Sequence, residues 1–201
     1  HVPERLRHVR VPDREGGSDV APLVTESFLW AAREQGIDAE FAIHNAGGVR
    51  VGLNAGPLSA ALIAGTLLPF AIDVIAYRVT GKQIRCALEG AINNATNNGV
   101  VGLGTGSFPY CAAIRYRYEA WRPIGQRITQ LEIKRDEHWV SMDDDHQYTG
   151  VSSSYTAQGK EGYDALQTGR RRSIGLSMAE CFIQYARQQA VLALSNQPLV
   201  C

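Results

Sequence analysis

The sequence predicts an α+β fold, and two kinds of periodicity carry that prediction. Apolar residues recur at helical spacing in three stretches, beginning at Val20, Ile84 and Met178. Between them lie short β-rich or alternating runs, 41–43, 72–79, 112–119, 127–134 and 147–154, of the length and composition of strands. Such a mixture packs as helices laid on mixed or antiparallel sheets. With 201 residues, 45% hydrophobic, and neither internal repeat nor linker, residues 1–201 are expected to form a single domain with a substantial core.

Residues 1–17 are rich in arginine (Arg5, Arg7, Arg10, Arg14), and Pro3 and Pro12 favour extended backbone, so the segment reads as a solvated edge. Ser18 or Asp19 can cap the next helix, and Pro22 is tolerated in its first turn. Val20, Leu23, Val24, Ser27 and Ala31 form its buried stripe, and Gly36 ends it. Phe41-Ala42-Ile43 is a buried strand that runs into His44-Asn45-Ala46-Gly47-Gly48-Val49-Arg50. Gly47 and Gly48 at a strand exit let a ligand approach the backbone closely. The Asn45 amide can read a heteroaromatic ring edge, and the Arg50 fork suits phosphate or carboxylate. Taken alone, the heptad is equally a strand ending in a glycine turn with a surface arginine.

Gly56-Pro57 is a break, Ser59 caps a short helix to about Leu67, and Pro69 ends it, with Phe70 on an irregular segment. After the 72–79 run and Thr80-Gly81, Ile84, Ala87, Leu88, Ala91, Ile92 and Ala95 predict a helix over 82–97, frayed by Asn93, Asn94, Asn97 and Asn98 before Gly99. Gly102-Leu103-Gly104-Thr105-Gly106 lacks the G-K-[ST] ending of a phosphate loop and is read as structural. Ile114, Tyr116 and Tyr118 alternate, as do Leu131 and Ile133, so 112–119 and 127–134 are expected to pair. Asp143-Asp144-Asp145-His146 is a polar turn, since a hard-cation loop spreads its ligands over more widely spaced positions. Strand Gln147–Ser154 and a last helix carrying Met178, Cys181, Phe182, Tyr185 and Ala186 complete the pattern.

Composition excludes several functions. Twenty basic and twenty acidic residues leave no electrostatic argument for nucleic acid or an anionic membrane. No apolar run is long enough to span a bilayer. Cys86, Cys111, Cys181 and Cys201 show no C-x-x-C spacing, and Cys86 and Cys181 read as packed thiols inside helical patterns. The abrupt start at His1-Val2-Pro3, without a signal peptide, reads as a fragment boundary.

Three ordered motifs set the functional expectation: Asn45–Arg50, then Leu67-Leu68-Pro69-Phe70, then Ser154-Tyr155-Thr156-Ala157-Gln158-Gly159-Lys160-Glu161-Gly162-Tyr163. Together they resemble the C-terminal, substrate-binding domain of the secreted 5′-nucleotidase, UDP-sugar hydrolase and NAD nucleotidase family. Its pattern is N-x-G-G-[IV]-R, P-F, and N-[FY]-x-x-x-G-G-D-G-[FY]. The resemblance implies a four-layered α/β/β/α arrangement and assigns roles. Phe70 and Tyr155 would stack on the two faces of a base, Asn45 with Gly47 and Gly48 would meet its edge, and Glu161 would accept from both ribose hydroxyls. Arg50 would hold phosphate with Arg10, for which Arg7 is a rival. Lys160 and Glu161 replace a family glycine and aspartate, and the added cation would favour a second phosphate, as in a dinucleotide.

The family cleaves phosphate esters with two zinc- or manganese-type ions held by an N-terminal metallophosphatase domain. The G-N-H-[DE] and G-H-x-H motifs of that domain do not occur in this sequence. The resemblance therefore implies a chain without cofactor or catalytic residues of its own. It would bind AMP, adenosine or NAD beside its metallophosphatase domain, in a periplasmic, secreted or cell-surface protein. The alternatives are a free-standing nucleotide-binding module and a specificity for NAD or nucleotide sugars.

Overall fold

The computed structural model describes residues 1–96, 104–167 and 170–192, and two sheets organise them. In chain order the main elements are α1 (Val20–Glu34), β1 (Phe41–Asn45), α2 (Ala60–Leu62), β2 (Asp73–Thr80), α3 (Gly81–Thr96), β3 (Pro109–Ala112), β4 (Ile114–Tyr118), β5 (Ile128–Arg135), β6 (His138–Ser141), β7 (Gln147–Ser153), α4 (Ser154–Ala157), β8 (Arg171–Ser177) and α5 (Met178–Gln189). A five-stranded sheet runs β3-β1-β7-β2-β8 and a three-stranded sheet runs β4-β5-β6. The first is mixed, because β1 and β7 are parallel while its other pairs are antiparallel, and the second is antiparallel throughout. The fold class is the α+β one expected.

The helical stripes are buried as the periodicity requires. Val20, Leu23, Val24, Ser27 and Ala31 of α1, and Ile84 through Ala95 at helical spacing in α3, all sit inside. Both candidate residues act at the start of α1. The Ser18 hydroxyl accepts the Ala21 amide at 3.0 Å, while the Asp19 carboxylate accepts the Arg7 amide at 2.7 Å. Ser59 caps α2, accepting from the Leu62 amide at 3.1 Å, and the helix continues as a π-helical turn over Ile63–Leu67. The acidic turn 143–146 is a fold element. Its Asp144 and His146 carbonyls accept the Lys82 and Gly81 amides at the start of α3, and Asp144 pairs with Arg85 at 3.0 Å.

Several expectations are corrected. Residues 1–17 are more than a solvated edge, since Val2 and Leu6 are buried and their backbones bridge to Gly56 and Leu53. The strand expected over 112–119 is two strands. The chain leaves the five-stranded sheet at Ala112, turns at Ala113 with φ 58°, and enters the three-stranded sheet at Ile114. Asn93 and Asn94 lie within α3 and bond to Arg127 and Ser107, and so do not fray it. The strand to Ser154 stops at Ser153, whose hydroxyl accepts the Thr156 amide and caps α4. Cys86 faces outward and is not a packed thiol, whereas Cys111 and Cys181 are buried. Asn97, Asn98, Gly99, Gly102, Leu103 and Cys201 lie outside the described residues.

Candidate functional site

β1 delivers the first part of the site. Its exit is a single 3-10 turn, Ala46–Gly48, packed closely enough that added side chains would meet their neighbours. A Cβ on Gly48 would overlap Nε2 and Cε1 of His44, and a Cβ on Gly47 would lie 3.1 Å from the Gly106 Cα. Asn45, at the last position of β1, is 5% exposed. Its Oδ1 accepts from the Thr156 hydroxyl at 3.1 Å, and its Nδ2 lies 3.4 Å from both the Gly106 carbonyl and the Glu161 carboxylate. Thr156 in turn shares a hydroxyl–hydroxyl bond of 3.1 Å with Ser153. One amide thus ties together three loops.

The third motif folds as α4 followed by a tight 3-10 turn, Lys160–Gly162. Glu161 has φ 57°, a left-handed conformation that asparagine and aspartate adopt more readily than glutamate. Gly162, at φ 93°, packs backbone to backbone on Gly90 of α3, where a Cβ would lie 2.6 Å from the Gly90 carbonyl carbon. Tyr163 is buried and donates to the Ser107 carbonyl at 2.7 Å, fixing the turn from behind. Tyr155 is directed against Glu161. Its phenol is shifted upward by partial burial, and by the Glu161 charge and hydrogen bond.

Between these parts lies an open cavity of about 370 Å³. Arg10, Asn45, Gly47, Gly48, Arg50, Phe70, Tyr155 and Glu161 all line it, so the eight residues singled out from sequence converge on one space. Phe70 and Tyr155 are 43% and 37% exposed, high for large aromatic rings. Arg50 donates to the Gly47 carbonyl at 3.0 Å and its guanidinium stands 5.7 Å from the centre of the Phe70 ring. Of the two rival arginines, Arg10 reaches the cavity, while Arg7 is paired with Asp13 and, at 3.6 Å, Glu15. Lys160 is exposed and lies outside the lining.

Sequence reasoning passed over several neighbours. His44, Ile72, Ser153, Gly104, Gly106 and Met178 also line the cavity. His44 is fully buried with neither ring nitrogen bonded, its ring 5.0 Å from that of Phe28 and edge-on to it. Burial, with a smaller contribution from nearby His8, pushes its pKa down to about 3. His8 donates to or accepts from Ser18 at 2.9 Å, and burial lowers its pKa to about 4. Both rings are neutral at ordinary pH. A lone histidine after an apolar run carries no pattern that marks such a position.

Among the described residues no group of three or more His, Cys, Asp and Glu side chains is placed to hold a metal ion, and no helix is long and apolar enough to cross a membrane. The cleft is half-open and brings two exposed aromatic rings, a carboxylate and two arginines together. The model of the 5′-nucleotidase C-terminal domain family matches residues 3–168, and the chain belongs to that family. A probable 5′-nucleotidase of Treponema pallidum (strain Nichols) is 34% identical over 188 residues, covering 89% of this chain and 31% of that protein. The NAD 5′-nucleotidase of Haemophilus influenzae is 31% identical over 157 residues, covering 77% of this chain and 25% of its own length. The crystal structure of a 5′-nucleotidase precursor from Thermus thermophilus superposes with a TM-score of 0.85 at 27% identity, over 99% of this chain and 38% of that one. The chain thus spans about a third or less of the relatives it matches.

Proposed function

We propose that this chain is the substrate-binding domain of a 5′-nucleotidase-type phosphoric ester hydrolase and that its cavity holds the nucleoside part of a nucleotide such as AMP. The observation that carries the reading is the convergence of four sequence-distant segments, around Arg10, Asn45–Arg50, Phe70 and Tyr155–Glu161, on one cavity. Each offers what one part of a nucleotide needs. The Phe70 and Tyr155 faces take the base between them, each contact contributing roughly 1–3 kcal/mol by analogy with bases stacked on aromatic side chains. Glu161 accepts from the ribose hydroxyls. Arg10, and the donors of Arg50 not engaged by Gly47, take phosphate oxygens. The Asn45 Oδ1 is already committed to Thr156, so Asn45 meets the base through its two loosely held Nδ2 hydrogens.

Hydrolysis is assigned in this reading to a separate metallophosphatase domain with its divalent ions, and the assembled protein to the periplasm or cell exterior. The relative named NAD 5′-nucleotidase makes a dinucleotide the first alternative ligand to compare. Calorimetric titration with adenosine, AMP, NAD and UDP-glucose tests the reading. Adenosine and AMP are expected to bind, and Phe70→Ala and Tyr155→Ala each to weaken adenosine at least about tenfold. Unchanged affinity in both variants would remove the base from between these rings.

A further inference from the structure

A second concave surface lies at the other end of the five-stranded sheet and plays no part in the cavity described above. It is a groove of about 460 Å³ lined by Ala76, Tyr77, Arg78, Thr149, Arg170, Arg171 and Arg172. No carboxylate lines it. The registers explain the convergence. On β8, Arg171 and Arg172 pair with Tyr77 and Ala76 of β2, and Arg78 of β2 pairs with Thr149 of β7. Arg172, opposite Ala76, shares a face of the sheet with Arg78 and with Arg170 two residues before it, whereas Arg171, opposite Tyr77, leaves from the other face, so three arginine side chains border the hollow. Arg78, Arg170 and Arg172 are exposed, and among the described residues none has an acidic side chain within ion-pair reach. Arg171 is anchored through its Nη1 to the Ala157 carbonyl at 3.3 Å.

Two ordinary explanations fall short. A solvated face of a chain with twenty basic and twenty acidic residues would interleave the signs, as the Arg85–Asp144 and Arg115–Glu132 pairs do elsewhere, whereas beside the groove the Glu40 carboxylate is engaged by the Thr149 amide at 2.8 Å and by Arg135. Protection of the β8 edge against strand addition requires charges on the edge strand alone. Arg78 is on β2, one strand in from that edge, yet it faces the same groove. What three forks of one sign on one concave face match is an anion carrying several oxygens, since each guanidinium presents planar donors to phosphate.

We propose that the Arg78, Arg170 and Arg172 groove is a second anion site that binds a short oligophosphate, such as pyrophosphate or tripolyphosphate. The same three strands that form it reach the first cavity at their opposite ends, through Ile72 before β2, Ser153 of β7 and Met178 after β8. At about 3.3 Å per residue the four residues from Ile72 to Ala76, or from Thr149 to Ser153, keep the two linings at least roughly 13 Å apart. One phosphate chain of ordinary length does not reach both, so the groove is a site in its own right and does not depend on the nucleotide reading.

The test is titration of the chain with inorganic tripolyphosphate at low ionic strength, repeated in sodium sulfate of matched ionic strength. Saturable binding is expected for tripolyphosphate, weakened at least about tenfold in the Arg78→Ser, Arg172→Ser double variant and unchanged in Arg14→Ser, which removes an exposed arginine that lines neither site. Both substituted side chains are exposed, so the double variant is expected to retain the wild-type melting temperature, which is measured alongside. A double variant that binds as tightly as wild type overturns the assignment. So does an equal loss in Arg14→Ser, or a response reproduced by matched sulfate alone, which would mean unspecific screening of surface charge.

Discussion

Replacing Gly48 by alanine separates the steric design of the β1 exit from its ligand chemistry. The added methyl would stand against Nε2 and Cε1 of His44, well inside the ~3.5 Å of an ordinary carbon contact. His44 has nowhere to go, because it is 1% exposed and the Phe28 ring closes on it edge-on at 5.0 Å. Gly48 does not have a positive φ, so alanine brings no backbone strain and the cost is overlap alone. Overpacking of this kind costs about 1–3 kcal/mol. A domain of this size loses ~2–4 °C of melting temperature per kcal/mol, so a fall of about 4–8 °C is expected for the central value. Gly47→Ala meets the Gly106 Cα at 3.1 Å, a contact that yields with a small loop movement, and is expected to cost less. A double-mutant cycle isolates the cause. In the His44→Ala background the Gly48→Ala change loses its obstacle, so the two substitutions together should destabilise by at least ~1 kcal/mol less than their sum. Melting curves and urea titrations of the four proteins supply the cycle. Additive losses would refute the contact as the reason for glycine at position 48.

The remaining predictions concern charge. Burial holds the His44 and His8 pKa values at about 3 and about 4, against an ordinary 6.5, so the unfolded chain binds more protons than the folded one between those limits. The stability that follows is fully present above pH 6.5 and is lost as pH falls towards 4, by about 2 kcal/mol at pH 5 for His44 alone. Urea unfolding from pH 7.5 to 4.5 should show that decline, and His44→Phe should flatten it. An unchanged slope would put the loss on other groups. For the arginines, Arg10→Ala should weaken AMP about tenfold and leave adenosine unaffected. Arg50→Ala should weaken both ligands, because Arg50 also holds the Gly47 carbonyl and lies over Phe70. Losses confined to AMP in both variants, read by calorimetry, would show that the Gly47 and Phe70 contacts contribute nothing to the base pocket.

What the sequence makes legible follows from which interactions leave a periodic trace. Helices α1, α3 and α5 bury one stripe each, and the 3.6-residue repeat of Val20–Ala31, Ile84–Ala95 and Met178–Tyr185 records it. Strand β8 leaves no such trace. It opens with arginines, carries Gly175 at φ 81°, and forms through backbone pairing with β2. The sheet change at Ala113 is equally silent, since an alanine at φ 58° carries none of the glycine or asparagine signature of a left-handed turn. Strand β6 is hidden for the same reason, because Asp136 and Glu137, at φ 46° and 65°, make its turn without glycine. Seven of the eight proposed site residues are legible as ordered motifs, Arg10 lying outside all three, and the fold places all eight around one cavity. Their cross-links are not. The bond from Thr156 to Asn45 joins residues 111 positions apart, and nothing local in either requires it.

That bond follows from sheet register. β1 and β7 are the parallel pair of the five-stranded sheet, with Phe41 beside Gly150 and Ala42 beside Val151. Strands so paired lie about 4.8 Å apart, and the same register carried forward sets Asn45 level with Ser154, just past the end of β7. The first and third motifs therefore emerge side by side from the carboxyl ends of neighbouring strands, and Tyr155, Thr156 and Glu161 need only a short helix and one left-handed turn to face Asn45. The pairing itself depends on a glycine. At position 150 any Cβ would overlap the Phe41 ring, which lies across the strand in contact with Tyr77 at 6.2 Å between centroids. A side chain there would push β7 from β1 or Phe41 from the core. Either movement would shift α4 relative to Asn45, and with it the alignment of Tyr155 and Glu161 against the Asn45–Arg50 turn. Gly150 lies outside the cavity and touches none of its lining in the proposed roles, yet the geometry of the site is set there.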